Sequence, residues 1–247
     1  MKKLLKGLFA ALSAVVIVGL TSCLSGDGEN SQTFAGEPLV VDSSSPTTVV
    51  VSRFGGSFYA PEMDTYRYNP GACLLASFKI NYDDQPSASA YTLSEVGNLI
   101  ELGQSRVTLS EDSTIVGYDG VIMGTQIAAS SELIFIRNKV FFTVTQNSSQ
   151  GESFKYNAVW LEDQFVQNSK PTLYLSAQID GEANGSSNRE GAVYFALDLA
   201  DFVQASRSYI ESDQLLFNIR YRVEDTKDGA PAFSKPILYK ITIPKES

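Results

Sequence analysis

The chain has 247 residues, of which 43% are hydrophobic, 19% are charged and 11% are aromatic. This composition excludes a disordered chain and a membrane protein with several spans. The sequence holds no histidine and only two cysteines, so it lacks the usual general base, the commonest metal ligand and a disulfide framework. The formal charge of −9 argues against a nucleic-acid partner, which would require an excess of lysine and arginine.

Residues 1–22 have the features of a bacterial lipoprotein signal peptide. Three lysines within the first six residues form a basic region, and the apolar stretch Leu8–Leu20 is too short to span a bilayer comfortably. The stretch ends in the residues Leu-Thr-Ser-Cys at 20–23, which resemble a lipobox. We predict that Cys23 receives fatty-acyl chains and that the mature protein binds the membrane through this lipidated N-terminus. A secretory signal that happens to contain a cysteine is the alternative.

The segment after the signal peptide, residues 23–46, is predicted to be the lipidated cysteine and a flexible tether. Small, polar and acidic residues dominate its start, and no hydrophobic period is visible there. Leu24 stands directly after the cysteine, where an inner-membrane retention signal would have aspartate. The sequence therefore favours the outer membrane and leaves open whether the protein faces the surface or the periplasm.

The rest of the chain carries strand signals. Apolar and polar residues alternate in Ala72–Ile80, Phe154–Trp160, Leu173–Ile179, Val193–Leu197, Leu215–Val223 and Ile237–Ile243, as expected for half-buried strands. Helical signal is confined to a short turn over Leu199–Ala205, which Asp198 could cap. A polar cluster at Ser110–Ser113 divides the strands into a small barrel at residues 47–113 and a sandwich at residues 114–247. We expect the second part to fold without the first.

Seven segments of the mature chain occur in a recognisable order: Asn69–Gly71, Phe78–Asp84, Tyr91–Val96, Ile100–Leu102, Val116–Val121, Glu132–Phe135 and Tyr194–Leu199. This order resembles the NigD-like lipoproteins of Bacteroidota. The resemblance implies an N-terminal OB-like domain and a C-terminal β-sandwich in a protein of the bacterial cell envelope. The predicted fold is therefore all-β, with a small OB-like barrel followed by an immunoglobulin-like antiparallel β-sandwich.

The residues that could carry catalysis have structural interpretations. Cys73 lies in an apolar strand with no cationic neighbour in sequence, which favours a buried, unreactive thiol. Ser153 and Lys155 fall on the outward face of one strand, which favours a solvated surface over a nucleophile–base pair. The acidic pairs at residues 83–84 and 111–112 adjoin turns, where aspartate caps backbone amides. We therefore predict no catalytic residue.

Two further patterns could bind a ligand. Asp180–Gly191 imitates the start of a calcium loop, but its last carboxylate is displaced by one position and no flanking helices are predicted. A hairpin loop is favoured, so no metal site is predicted. Tyr59, Tyr66 and Tyr68 cluster in a polar segment and could form an exposed sugar-binding platform, whereas Trp160 belongs to the predicted core.

These observations predict a non-enzymatic lipoprotein, anchored in the outer membrane, that acts as an interaction or binding module without a cofactor. Its partners would be the membrane and either an envelope protein or a glycan. A surface glycan-binding lipoprotein is the alternative, with the three tyrosines as its contact residues.

Overall fold

The structure is a computed structural model that describes residues 30–85, 90–110, 120, 122, 124–126, 132–148, 153–161, 170–180, 189–224, 227–228 and 232–244. The strands of the smaller sheet are β1 (Ser31–Ser43), β2 (Val49–Ser52), β3 (Ser57–Tyr59), β4 (Cys73–Asn81), β5 (Tyr91–Thr92) and β6 (Ser94–Glu101). The strands of the larger sheet are β7 (Gly103–Ser110), β8 (Gly124–Gln126), β9 (Phe135–Ile136), β10 (Lys139–Ser148), β11 (Ser153–Leu161), β12 (Thr172–Asp180), β13 (Arg189–Asp198), β14 (Ile210–Glu211), β15 (Gln214–Val223), β16 (Ala232–Phe233) and β17 (Ile237–Thr242). Helices are limited to α1 (Pro61–Asp64), α2 (Ala200–Ala205) and 3₁₀ turns at Tyr82–Asp84 and Arg207–Tyr209 in this part of the chain. The predicted all-β class is confirmed.

The smaller sheet has the strand order β5-β3-β2-β1-β4-β6, with β1 near its centre. β1 pairs antiparallel with β2 on one side and with β4 on the other. Its apolar core includes Leu39, Val41, Val50, Phe58, Met63, Leu74, Phe78 and Leu93. This sheet, with α1 packed through Met63, is the N-terminal barrel-like unit.

The position of β1 corrects the tether that the sequence predicts for residues 23–46. Residues 31–43 are a strand of the sheet, and Leu39, Val40 and Val41 are all buried. Leu39 and Val41 lie in the core of the smaller sheet, whereas Val40 belongs to a second apolar cluster on the other face. Because both faces of the strand are covered, apolar and polar residues do not alternate there, and alternation cannot predict β1.

The larger sheet has the order β14-β15-β12-β11-β7-β13-β10-β8, with β9, β16 and β17 attached. The strands predicted from alternation correspond to β4, β11, β12, β13, β15 and β17. The predicted antiparallel sandwich also contains parallel pairs, because β7 pairs in parallel with both β11 and β13, and β12 pairs in parallel with β15. Its core includes Val107, Phe142, Trp160, Leu175, Phe195, Phe217 and Tyr239.

β7 changes its partner half-way along its length. Residues 103–106 pair with β13, and residues 107–110 pair with β11. β7 therefore belongs by its hydrogen bonds to the larger sheet, although it precedes the division predicted at residues 113 and 114. Whether the two sheets fold as the predicted domains remains a prediction.

A single buried residue joins the two sheets. β6 ends at Glu101 and β7 begins at Gly103, and Leu102 between them is 6% exposed. Leu102 packs in a cluster that also contains Val40 and Cys73 from the smaller sheet and Ile136 and Ala196 from the larger sheet. The chain thus passes from one sheet to the other through a shared apolar interface.

Candidate ligand-contact surfaces

The three tyrosines predicted to contact a ligand do not form one platform. Tyr66 is 63% exposed and Tyr68 is 7% exposed, and their rings stack with centroids 5.7 Å apart. Tyr59 is half-buried, and its hydroxyl donates to Asp64 Oδ2 at 3.4 Å. The structure therefore brings Tyr66 and Tyr68 together, with Tyr66 as the accessible ring and Tyr68 as its support.

Asp64 connects the segments around these tyrosines through hydrogen bonds to Tyr59 and Thr48. The carboxylate lies at the end of α1, where its Oδ1 accepts from the backbone N–H of Thr48 at 2.6 Å. Met63, one residue earlier, is fully buried and fixes α1 to the core. Tyr59 and the loop before β2 are thus tied to the same short helix, beside the exposed ring of Tyr66.

Glu37 is a candidate site residue that the sequence pattern does not indicate. Its side chain is 4% exposed, and Oε1 lies 3.2 Å from Nε of Arg53 in an ion pair. Burial raises the pKa of Glu37 from 4.5 to about 7, and the nearby Arg53 charge opposes that shift. The Arg53 guanidinium lies 4.9 Å from the ring centroid of Phe54, which is 53% exposed. We call Glu37, Arg53 and Phe54 the carboxylate site.

A β-bulge explains why a glutamate enters the core. The register of β1 against β4 shifts between Phe34 and Glu37, and Gly36 within the bulge has a φ of +61°. After the bulge Glu37 pairs with Ala76, a residue of the smaller core. Glu37 lies on the same face of β1 as Leu39 and Val41, but the apolar residues Pro38 and Val40 between them hide this face in the sequence.

The raised pKa of Glu37 predicts that stability falls as the pH rises. The folded state holds this proton more tightly than the unfolded chain, so its stabilisation is complete below about pH 4.5 and is lost as the pH passes about 7. The free energy of unfolding should fall by up to about 3 kcal/mol across this range. Urea unfolding at about pH 5 and about pH 8.5 measures this change.

No histidine contributes to the pH dependence of stability in this range, because the chain contains none. Glu37→Gln should abolish most of the pH dependence and should raise stability at the higher pH. Glu62→Gln, on the exposed start of α1, is the matched control and should leave the dependence unchanged. An unaltered pH dependence in Glu37→Gln would contradict the assignment.

Cys73 is placed where the sequence predicts, in a buried strand. It lies at the interface between the sheets, and its Sγ is 3.6 Å from Oε1 of Gln104. Burial raises the pKa of the Cys73 thiol to about 11, with a smaller opposing effect of Lys139. The thiol is therefore protonated at neutral pH, which disfavours nucleophilic chemistry.

The acidic pair at residues 83–84 forms part of a turn. Asp83 Oδ2 accepts from the backbone N–H of Asn30 at 3.1 Å, and Asp84 Oδ2 accepts from the Asn81 side chain at 2.6 Å. Asn81 in turn accepts from the backbone N–H of Asp83. These bonds fix the end of β4 against the start of β1, in agreement with the interpretation of turn carboxylates.

Several predicted features lie outside the described residues. These are Cys23 with the signal peptide, the acidic pair at 111–112 and most of the loop 180–191. Within the described residues, no three cysteine, aspartate, glutamate or histidine side chains converge on a possible metal position. Among those same residues, no helix combines the length and the hydropathy needed to cross a bilayer.

The fold and its first sheet define a class, an all-β protein that begins with a barrel-like unit of OB type. Residues 28–94 match the profile of the family described as the lipoprotein OB domain. This match covers β1 to β5, so the predicted OB-like N-terminal domain is confirmed and begins before residue 47. No curated protein is significantly similar in sequence.

Solved structures of proteins from Parabacteroides and Bacteroides resemble this chain in fold. An uncharacterised protein from Parabacteroides merdae has a TM-score of 0.63 at 15% identity, covering 86% of this chain and all of that one. A protein described as a lipoprotein from Bacteroides fragilis has a TM-score of 0.56 at 9% identity, covering 87% of this chain and all of that one. A NigD-like immunity protein from Bacteroides caccae has a TM-score of 0.49 at 12% identity, covering 84% and 96% of the two chains. The likeness to the first two of these structures therefore extends over most of this chain and the whole of each of theirs.

Proposed function

We propose that this protein is a lipid-anchored, non-enzymatic binding module of the bacterial outer membrane. The observation that carries the proposal is the order of its N-terminal segments. A lipobox-like sequence ending at Cys23 is followed, five residues later, by the start of the match to a lipoprotein OB domain. An acyl anchor at Cys23 would hold the folded part of the chain close to the membrane.

The chemistry of the described residues supports a binding role. The chain has no histidine, and the buried Cys73 thiol has a pKa raised to about 11. The carboxylates at residues 83 and 84 accept hydrogen bonds from Asn30 and Asn81 that hold a turn. Exposed side chains such as Tyr66 and Phe54 supply apolar contact area.

The two cysteines allow a matched test of the anchor. Cys23→Ser should abolish labelling with a fatty-acid probe and should release the chain from the membrane fraction or leave its signal peptide uncleaved. Cys73→Ala should be labelled and retained like the wild type, because Cys73 is buried between the sheets. Several acyl chains hold a protein stably, so the wild type should also resist a high-salt wash.

Fractionation of the envelope tests the outer-membrane part of the proposal. The wild-type protein should sediment with the outer membrane in a density gradient. Mass spectrometry that found an unmodified Cys23 at the mature N-terminus would overturn the anchor, and recovery with the inner membrane would overturn the location.

The exposed ring of Tyr66 favours glycan binding as a second candidate function. Sugars stack on aromatic faces that a rigid neighbour holds in place, and Tyr68 supports Tyr66 in this manner. Asp64 and the Tyr59 hydroxyl add hydrogen-bonding groups nearby along the chain. The exposed platform is thus one ring, instead of the three that the sequence suggested.

A glycan array followed by titration tests this second function. Tyr66→Ala should weaken binding of a bound glycan by about tenfold, as expected for the loss of one stacking contact. Tyr91→Ala removes another exposed tyrosine, which lies in β5, and should leave the affinity unchanged. Saturable binding that survives Tyr66→Ala would exclude this surface as the glycan site.

A further inference from the structure

The strands of the N-terminal unit run between two distinct ends. β1 begins at Ser31, which pairs with Asn81, and reaches Val40, which pairs with Cys73. Val40 and Cys73 lie in the apolar interface with the larger sheet. The start of β1 is therefore nine residues along the strand from this interface.

Exposed aromatic residues gather at the end where β1 starts. Phe54 is 53% exposed, Tyr91 is 38% exposed and Tyr82 is 36% exposed. These three residues, which we call the aromatic end, are connected through ring contacts with the buried side chains of the barrel core. The consecutive ring centroids are 5.6, 5.0, 6.0, 5.9 and 5.9 Å apart along the series Phe54, Phe34, Phe78, Phe58, Tyr91 and Tyr82.

The proposed anchor lies close to this end in sequence. Asn30 accepts from the backbone N–H of Tyr82 at 2.8 Å, so the chain enters the fold beside that tyrosine. Cys23 is seven residues before Asn30, a span of at most about 25 Å when fully extended. An acyl chain on Cys23 would therefore keep the aromatic end within that distance of the bilayer surface.

We infer that the aromatic end of the N-terminal unit, Phe54, Tyr82 and Tyr91, rests in the headgroup layer of the membrane that holds the anchor. This inference rests on the proposed lipidation of Cys23. Tyrosine suits the headgroup layer because its ring is apolar and its hydroxyl is polar. The protein would then stand with its barrel on the membrane and its larger sheet directed away from it.

The charges at this end favour a zwitterionic headgroup layer. Asp83 and Asp84 follow Tyr82 directly and would be repelled by anionic lipids. The cations nearby are engaged by carboxylates, since Arg53 pairs with Glu37 at 3.2 Å and Lys79 pairs with Glu95 at 3.6 Å. Phosphatidylcholine vesicles are therefore the appropriate probe.

Tryptophan reporters in the full-length lipidated protein test the inference. Tyr91→Trp and Phe54→Trp place a fluorophore at the aromatic end, and Tyr66→Trp is the control on an exposed ring elsewhere. The native Trp160 is buried in the larger sheet and provides the baseline emission. Each protein is reconstituted into phosphatidylcholine vesicles whose acyl chains carry bromine near the headgroup.

The two reporters at the aromatic end should each lose about half of their added emission on bromination, whereas Tyr66→Trp should lose almost none. Replacing part of the lipid with phosphatidylglycerol should reduce the loss at both reporters. Failure of the protein to float with the vesicles would overturn the lipid anchor and this inference with it. If the protein floats with the vesicles but the tryptophans at positions 54 and 91 are not quenched, the inference is overturned and the lipid anchor stands. Equal quenching of the tryptophan at position 66 would have the same meaning. Stronger quenching in phosphatidylglycerol would overturn the preference for zwitterionic lipid.

Discussion

A fragment that begins at Ile115 is expected to remain unfolded, whereas a fragment that begins at Gly103 is expected to fold cooperatively. The difference between the two fragments is β7 and the residues that follow it. β7 lies between β11 and β13 in the larger sheet, and its Val107 side chain is 1% exposed in the core. Removing β7 therefore takes away an internal strand of the larger sheet.

The expected effect is large enough to abolish folding. Each of the eight residues of β7 pairs with β11 or β13, and each buried backbone group left without a partner costs about 1–3 kcal/mol. A domain of this size is stable by only about 5–15 kcal/mol, so several such losses exceed its total stability. The shorter fragment also loses the ion pair at 2.7 Å between Arg106 and Asp201, which connects β7 to α2.

Thermal melts by circular dichroism and amide dispersion in NMR spectra distinguish the two fragments. The longer fragment should melt at a lower temperature than the complete protein, because it exposes Ile136 and Ala196 at the former interface. A cooperative melt of the fragment that begins at Ile115 would show instead that β7 is dispensable. That result would support the domain division predicted at residues 113 and 114.

The contrast between β15 and β1 shows which strands the sequence can predict. In β15, Leu215, Phe217 and Ile219 are buried while Leu216 is exposed. One face of this strand is therefore exposed to solvent, and the alternation of apolar and polar residues is visible in the sequence. In β1, three consecutive residues from Leu39 are buried on two faces, and the period disappears. Alternation reports one-sided burial, and strands covered on both sides require tertiary information.

The candidate surfaces show the same limit. The alternating sequence pattern correctly predicts that Cys73 lies in a buried strand and that Trp160 lies in the core, because both residues belong to apolar runs. It did not separate Tyr66 from Tyr68, whose exposures differ although they are two residues apart. Nor did it find Glu37, since the burial of a carboxylate depends on a bulge and on Ala76 in another strand. Long-range pairing decides both features.

Gly120→Ala is expected to destabilise the protein by about 3–5 kcal/mol, through a clash with the backbone of β12. A Cβ added at Gly120 would lie 2.2 Å from the carbonyl oxygen and 2.8 Å from the carbonyl carbon of Ala177. Gly120 also donates its backbone N–H to that same oxygen at 2.8 Å and accepts from the Ala177 N–H at 3.3 Å. A methyl group would force the two backbones apart and break this bridge.

Two companion variants identify the clash as the cause. Gly103→Ala is the matched control, because no atom lies within 4 Å of its added Cβ, and its stability should change by less than about 1 kcal/mol. Ala177→Gly should fail to rescue Gly120→Ala, since the obstruction is a backbone carbonyl that every residue carries. Urea unfolding of the three variants measures these effects. Wild-type stability in Gly120→Ala, or its rescue by Ala177→Gly, would show that the bridge between Gly120 and β12 does not hold these segments in contact.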